Sequence, residues 1–418
     1  MTFGPWGRGA GRAASALAWA CLLAIGPLAH AQDTANDPVT LRHVFDSAWQ
    51  RQPEARGVAA RRDATDARLE AARSWTPEPA ALELSGASDR LMRNNGRREY
   101  VAGVAVPLWL PGERSRTQAV AQAERQAVDS RVLAAQLRLA GQVRDAWWAV
   151  HRARIEAALA QARLANTQQL AADVARRVSA GDLSRADQHQ AEGAAAAARA
   201  GLAEAMALQA QAQQALRALA GIELPQPLPD TAEALPASGT SLSHPLLVEL
   251  QDRAEVARRS QALAGVQRRA NPELALATTR ERDVLGEAYG QSITVGVRIP
   301  LGSDSRHRAR VAAASAEQIE AESALAVEQQ RLQGELAAAQ ARMDGARQVA
   351  EAATQRAALA EQTRGFIDKA FRLGEADLPT RLRVELEAFE AERLQARARI
   401  ELAQALSQWR QALGLLPE

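Results

Sequence analysis

The chain has 418 residues, 47% of them hydrophobic but only 4% aromatic, with 51 basic and 49 acidic side chains. So few large apolar side chains cannot fill one thick globular core, whereas long helices packed through small residues need little else. The surplus of two positive charges is accounted for by Arg8 and Arg12, so the rest of the chain is balanced and lacks the basic footprint of a nucleic-acid binder.

Residues 1–31 read as a secretory signal. Arg8 and Arg12 form its charged start, residues 13–25 its apolar stretch, and Ala29-His30-Ala31 its cleavage site. The apolar stretch is too short for a good membrane span, and the mature chain is expected to begin at Gln32. Cys21, the one cysteine, lies inside this segment, which leaves the mature protein without disulfide or thiol chemistry. Lipidation of Cys21 is the alternative, although Ala18-Trp19-Ala20 before it fits a lipobox poorly.

The rest is written twice. Val106-Pro107-Leu108 recurs as Ile299-Pro300-Leu301, Gly181 as Gly374, and Ala220-Gly221 as Leu413-Gly414, each 193 positions on. Upstream the shift is 192, pairing Gln52-Pro53 with His244-Pro245 and Leu82 and Leu84 with Leu274 and Leu276. One indel in a loop explains the difference. The expected organisation is a first repeat over 32–224, a proline-rich linker over 225–244 and a second repeat over 245–418.

Each repeat has the same grammar. The first predicts a helix over 41–73, strands near 82–88 and 98–110, and a very long helix from 113 to about 178. A turn at Ser179-Ala180-Gly181-Asp182 then leads into a helix ending near Ala220-Gly221. The second predicts a helix over 245–269, strands over 272–282 and 289–301, a long helix over 305–372, a turn at Gly374 and a last helix to Leu413-Gly414. No proline falls between Pro111 and Pro225 or between Pro300 and Pro379, out of 17 in the chain. A helix of about 65 residues is about 100 Å long and needs neighbours throughout. Leu332, Leu336, Ala339, Met343, Ala346, Ala350, Ala353, Ala357 and Ala360 alternate spacings of four and three. That is a heptad seam in which alanine lets the partner helix approach closely.

In the last predicted strand, Ile293, Val295, Val297 and Ile299 alternate with Ser292, Thr294, Gly296 and Arg298. Leu82 and Leu84, Val104 and Val106, and Leu274 and Leu276 repeat the pattern more weakly. One face suits lipid, the other a lumen tolerating Glu83 and Arg298, and Tyr100, Tyr289 and Trp109 sit where an aromatic girdle belongs. A half-buried soluble sheet is the alternative that any single strand leaves open. Four strands cannot close a barrel around a channel, and open edges are not tolerated in lipid. Spanning strands therefore require several copies, and three copies supply twelve strands. The polar links at 89–98 and 280–287 would be outer loops.

No phosphate-cradling glycine loop, nucleophile elbow or zinc-ligand spacing is present. His43, His151, His189, His244 and His307 are scattered. Catalytic, cofactor-binding and metal-ligating residues are therefore not expected, and Trp147-Trp148 reads as packing in a helical layer.

Over the whole mature chain, the duplicated order of helix, two strands, long helix, turn and helix resembles the TolC-like outer-membrane efflux proteins. Trp75-Thr76-Pro77-Glu78-Pro79, the stretch from Pro107 to Arg114, and Val143-Arg144-Asp145-Ala146-Trp147-Trp148 carry the match. The resemblance implies a mainly α homotrimer: a shared twelve-stranded transmembrane β-barrel in the outer membrane and an α-barrel tunnel in the periplasm. It also implies two partners, a periplasmic adaptor protein and an inner-membrane transporter of the RND type. Arg177, Gly181 and Asp187 have the family's tip spacing, and the second tip reads Phe371-Arg372-Leu373-Gly374-Glu375-Ala376-Asp377. By resemblance Arg177, Gly181, Asp182, Leu183, Gly374, Glu375 and Asp377 dock the adaptor, while Asp187, Phe371, Thr380 and Arg383 lie at the pore constriction. Asp182 and Asp377 are also expected to cap the helices that follow them. Phe371 and Ala376 stand where drug channels of this family often have Tyr and Arg, which puts the usual polar lock in doubt. The tip looks more like the cobalt–zinc–cadmium type than the multidrug type. Divalent heavy-metal efflux is the expected function, with a multidrug duct or a periplasmic coiled-coil adaptor as alternatives.

Overall fold

The computed structural model describes residues 39–91, 95–223, 228–229, 231–236 and 243–418. The expected signal segment with Cys21, and much of the proline-rich linker, lie outside them. The elements run α1 (Leu41–Arg51), α2 (Pro53–Arg73), β1 (Ala81–Ser88), β2 (Arg98–Pro107), α3 (Glu113–Ala180) and α4 (Arg185–Ala220). They continue as α5 (Pro245–Val266), β3 (Glu273–Arg282), β4 (Gly290–Arg298), α6 (Asp304–Leu373) and α7 (Leu378–Ala412).

The helix expected over 41–73 is two helices. Gln52 is extended between them, and Pro53, whose missing N–H costs nothing at a first helical position, opens α2. α5 stops at Val266, short of 269, because Gln267 leaves the helical region at ψ 62°. β2 and β4 stop at Pro107 and Arg298, short of Leu110 and Leu301, with one further backbone bond beyond β2, from the Leu108 N–H to the Pro272 carbonyl at 2.7 Å. The second polar link is also shorter than expected, because Arg280 to Arg282 still belong to β3.

α3 and α6 have 68 and 70 residues, about 100 Å each. α3 lies between α4 and α7, and α6 packs against α7 and α5. All nine residues of the α6 heptad seam are buried or half-buried, with Leu332, Ala339, Met343, Ala353 and Ala357 fully so. On the facing stretch of α7, where Arg342 donates to Gln408 at 2.9 Å, Ala391, Ala398 and Ala405 are buried.

The largest core cluster joins α1 (Val44, Phe45), α3 (Val143, Trp147, Trp148), α4 (Leu216) and α7 (Ile400) to Leu228 of the linker. Trp148 donates its indole N–H to Ser407 Oγ at 2.9 Å, and His151 packs against both tryptophan rings at 5.1 and 5.5 Å. Beside this cluster, two buried arginines close on one carboxylate. Arg144 of α3 donates from Nε and Nη2 to Glu233 at 2.9 and 2.7 Å. Arg410 of α7 reaches the same carboxylate at 3.3 Å and donates to the Ala234 carbonyl at 2.7 Å. The linker is thus tied to both repeats by a desolvated ionic clamp.

Glu113 makes a second link between the repeats. It is 3% exposed; its carboxylate accepts from the Leu110 N–H at 3.0 Å and from Gln267 and Asn271 at 2.8 and 2.9 Å. One buried carboxylate thereby fixes the β2–α3 junction against the α5–β3 junction.

Candidate functional site

The four strands form one antiparallel sheet in the order β1-β2-β3-β4. Its register joins the weak alternations into rows. Leu82 pairs with Val104, Val104 with Leu276, and Leu276 with Val295. The next row is Leu84, Ala102, Thr278 and Ile293, and a third is Val106, Leu274 and Val297. The intervening row, Glu83, Gly103, Ala277 and Thr294, points to the opposite face.

In a single copy the apolar face is open, whereas Gly103 and Ala105 in the middle of the other face are buried. Leu84, Ile293 and Val295 are 72%, 74% and 69% exposed, and β1 is exposed throughout. Three adjoining apolar rows exceed the apolar patch a soluble monomer normally shows to water. At one end of this face Tyr100 and Tyr289 pair at 6.4 Å between ring centroids, with Arg280 and Arg282 over Tyr289 at 4.8 and 5.0 Å. At the other, Trp109 donates to the Ser74 carbonyl at 3.3 Å and Trp75 is exposed. Aromatic side chains with polar partners at both limits of an apolar face match the two interfaces of a bilayer. Among the described residues no helix is long and apolar enough to cross a membrane.

A charge on this face is expected to be far more harmful than one behind it. Val295→Arg should cost about 2–4 kcal/mol if the site lies near mid-bilayer. It should strip the folded oligomer from the outer-membrane fraction on an unheated gel. Thr294→Arg, one residue along but on the other face, should leave that band in place.

At the far end of the long helices the two hairpin turns lie side by side. Gly181 ends α3 at φ 88° and Gly374 ends α6 at φ 79°, a region glycine enters without steric cost. The N–H groups of Asp182 and Glu375 reach back to the Arg177 and Ala370 carbonyls, both at 2.9 Å. This closes both helices with the same type of cap.

The following helices start differently from expectation. Asp377 does cap α7, accepting from the Thr380 N–H at 3.0 Å. Asp182 does not cap α4. Ser184 takes that place, accepting from the Asp187 N–H at 3.2 Å while its own N–H donates to Asp187 Oδ2 at 3.0 Å. The capping box outcompetes Asp182 because both partners lie three residues apart at the helix start. Asp187 is therefore engaged locally, with the Asp377 carboxylate close enough to oppose its charge.

The hydrogen bonds from Ser184, side chain first, hold Asp187 below its ordinary 3.8, and Thr380 does the same for Asp377. Carboxylates depressed in the folded state stabilise it above their ordinary value and lose that contribution as pH falls through the depressed one. Amide exchange at the first turns of α4 and α7 is therefore expected to rise as pH drops below about 3.8, with the α3 middle unaffected.

Phe371 is not on an open surface. It is 2% exposed, packed with Leu170, Val174, Ala191 and Leu378, and held between the guanidinium groups of Arg177 and Arg381 at 4.8 and 4.7 Å. Arg177 also donates to the Phe371 carbonyl at 3.3 Å, and Arg381 pairs with Asp368 at 2.6 Å. The ring sits inside the contact between hairpins because it has no hydroxyl to seek water. Leu183 packs at the edge of this cluster. Arg383 pairs with Glu387 on its own helix at 2.9 Å and lies near enough to favour the ionised Asp377, while Thr380 is half-buried.

A sheet with an apolar outer face and two open edges, carried on helices of about 100 Å, defines the class: one copy of a multi-copy channel with a membrane end and a long helical duct. Residues 44–222 match the model of the family described as outer membrane efflux protein. The first repeat is thus similar to that family, whose members are transport proteins rather than enzymes. Over nine-tenths of its length the chain shares its fold with solved channels. CusC is 19% identical over 90% of this chain and 92% of its own, at a TM-score of 0.75. The outer membrane protein VceC of Vibrio cholerae is 19% identical over 90% and 97%, at 0.73. The MtrE outer membrane channel of Neisseria gonorrhoeae is 19% identical over 90% and 89%, at 0.72. No curated protein matches the chain in sequence.

Proposed function

We propose that three copies form the outer-membrane channel of a tripartite efflux system, with the helical duct reaching through the periplasm to an adaptor and an inner-membrane RND transporter. The observation that carries this reading is the in-register apolar face of a four-stranded sheet whose two edges are unpaired. Lipid on one face and further copies at both edges satisfy it together. In this reading Arg177, Gly181, Asp182, Leu183, Gly374, Glu375 and Asp377 form the adaptor-docking rim, and Asp187, Thr380 and Arg383 border the narrow mouth. Phe371 belongs to the mouth as a pin between hairpins. Reconstitution in planar bilayers tests the reading: discrete conductance steps support it, and a protein that neither enters the outer membrane nor conducts sinks it. Single-channel conductance of Asp187→Ala and Arg383→Ala tests their part, since unchanged values in both would remove them from the mouth.

The cargo we assign is divalent heavy-metal cations, on the likeness of the tip Phe371-Arg372-Leu373-Gly374-Glu375-Ala376-Asp377-Leu378 to the cobalt–zinc–cadmium type. A deletion strain should lose tolerance to zinc, cobalt, cadmium or copper and regain it with the intact gene. Sensitivity to dyes, detergents and antibiotics alone would move the duct to organic solutes and leave its architecture unchanged.

A further inference from the structure

α6 carries a second seam. Opposite the one buried against α7, Ala352, Leu359, Phe366 and Leu373 recur every seven residues and all four are exposed. Leu359, Phe366 and Leu373 are 57%, 73% and 65% exposed. A heptad row of large apolar side chains along a helix that is already packed on its other side is half of a coiled coil. Among the described residues nothing covers it.

The matching half is on the same chain. Within one copy α4 packs against α3, α3 against α7 and α7 against α6, so α4 and α6 are the two outer helices of the duct wall. α4 buries Ala191, Ala195, Ala198 and Ala205 against its neighbour. Its other side exposes Ala186, Gly193, Ala200 and Ala207, again every seven residues. A Cβ at Gly193 would meet nothing within 4 Å.

The two rows also agree in level and direction. The hairpin turns are packed together through the cluster around Phe371, which puts both tips at one height. α6 runs down to its tip and α4 runs up from its own. Phe366 lies eight residues before Gly374, and Gly193 nine after Ser184, so both are about 12–14 Å above the turns at 1.5 Å per residue. The same count sets Leu373 beside Ala186, Leu359 beside Ala200, and Ala352 beside Ala207. On one flank of the rows, charges of opposite sign stand at about equal height, Arg356 of α6 and Glu204 of α4.

We infer that α6 of one copy packs antiparallel against α4 of the next, with Phe366 inserted over Gly193 and Leu359 over Ala200, and that this seam closes the duct wall. Large side chains on one helix and small ones on the other allow close approach without voids, and glycine gives the phenyl ring its socket. The inference rests on the multi-copy channel reading but fixes something that reading leaves open, the register between copies.

Cysteine pairing in membranes tests it, the natural Cys21 lying in the segment expected to be removed. Phe366→Cys with Gly193→Cys, and separately Leu359→Cys with Ala200→Cys, should lose the monomer band to covalent dimer and trimer on oxidation. Phe366→Cys with Ala207→Cys, about four turns out of register, should keep it. An oxidised sample in which the native oligomer persists but neither matched pair links, or in which the mismatched pair links instead, overturns the seam and leaves the channel reading intact. Absence of any oligomer in the unsubstituted protein removes both. As a second check, Gly193→Phe should abolish the oligomer, and adding Phe366→Ala should restore it; failure of that rescue while Phe366→Ala alone assembles counts against the socket.

Discussion

Glu233→Gln is expected to destabilise the folded protein by about 3–5 kcal/mol, the usual cost of removing one member of a buried ion pair. The size follows from what is left behind. Arg144 and Arg410 are 1% and 2% exposed, and both direct their guanidinium groups at the Glu233 carboxylate. An amide retains the volume but not the charge, so Arg144 would be left without an anion and Arg410 with only the exposed Glu418 carboxylate at 2.6 Å. Thermal unfolding of the detergent-solubilised protein reads the loss. Adding Arg144→Gln to Glu233→Gln should cost less than the sum of the two single changes, because both act on one network. Asp46→Asn, which breaks an exposed pair with Arg42, should change little. A melting curve for Glu233→Gln that overlays that of Asp46→Asn would show that the clamp contributes nothing.

Phe371→Ala is expected to cost about 3–5 kcal/mol, as deletion of a buried phenyl ring usually does. Its effect should be concentrated at the tips. The ring fills the space between Leu170, Val174, Ala191 and Leu378 and gives Arg177 and Arg381 a common face to stack on. Without it the two hairpins lose the centre of their contact at the tips, while links farther up such as Glu156 with Arg393 remain. Single-channel conductance should rise and amide exchange should accelerate in the last turn of α6. Phe371→Leu, which keeps most of the volume but no π face, should fall between the two and separate packing from cation–π attraction. Because the link is apolar and stacked, its strength should depend on salt and pH much less than a carboxylate-based lock would. Equal conductance in Phe371→Ala and the unsubstituted protein would remove Phe371 from control of the mouth.

What could be read from the sequence, and what could not, divides along the range of the forces involved. The 193-residue offset, the proline-free stretches and the α6 heptad are local or periodic signals, and the structure has these helices within a few residues. Ends were misread where one residue decides, as at Pro53, which opens a new helix. Asp182 was expected to cap α4, and the reciprocal bond between Ser184 and Asp187, which decides the matter, was not read from the sequence. Arg144 stood out within its motif, but Glu233 did not, because it lies in a stretch whose prolines read as mere linker. Its partners are 89 and 177 positions away, by subtraction from Arg144 and Arg410. Glu113 was hidden in the same way, as an ordinary first-turn acid whose ligands come from the other repeat. Phe371 showed only as a departure from a tyrosine, which says what is missing and not that the ring turns inward between two arginines.

The middle ladder of the sheet, β2 against β3, joins the two repeats across positions as far apart as Arg98 and Arg282. Each repeat by itself can make only a single hairpin, which is marginal in water. During synthesis and export, the helices of the first repeat can form from neighbours close in sequence, but β1 and β2 must wait for a partner nearly two hundred residues downstream. Closing that long loop is slow relative to helix formation. The membrane-spanning part is thus the last piece of each copy to mature, and a chain truncated before Glu273 would carry a folded helical hairpin with no means of entering a bilayer.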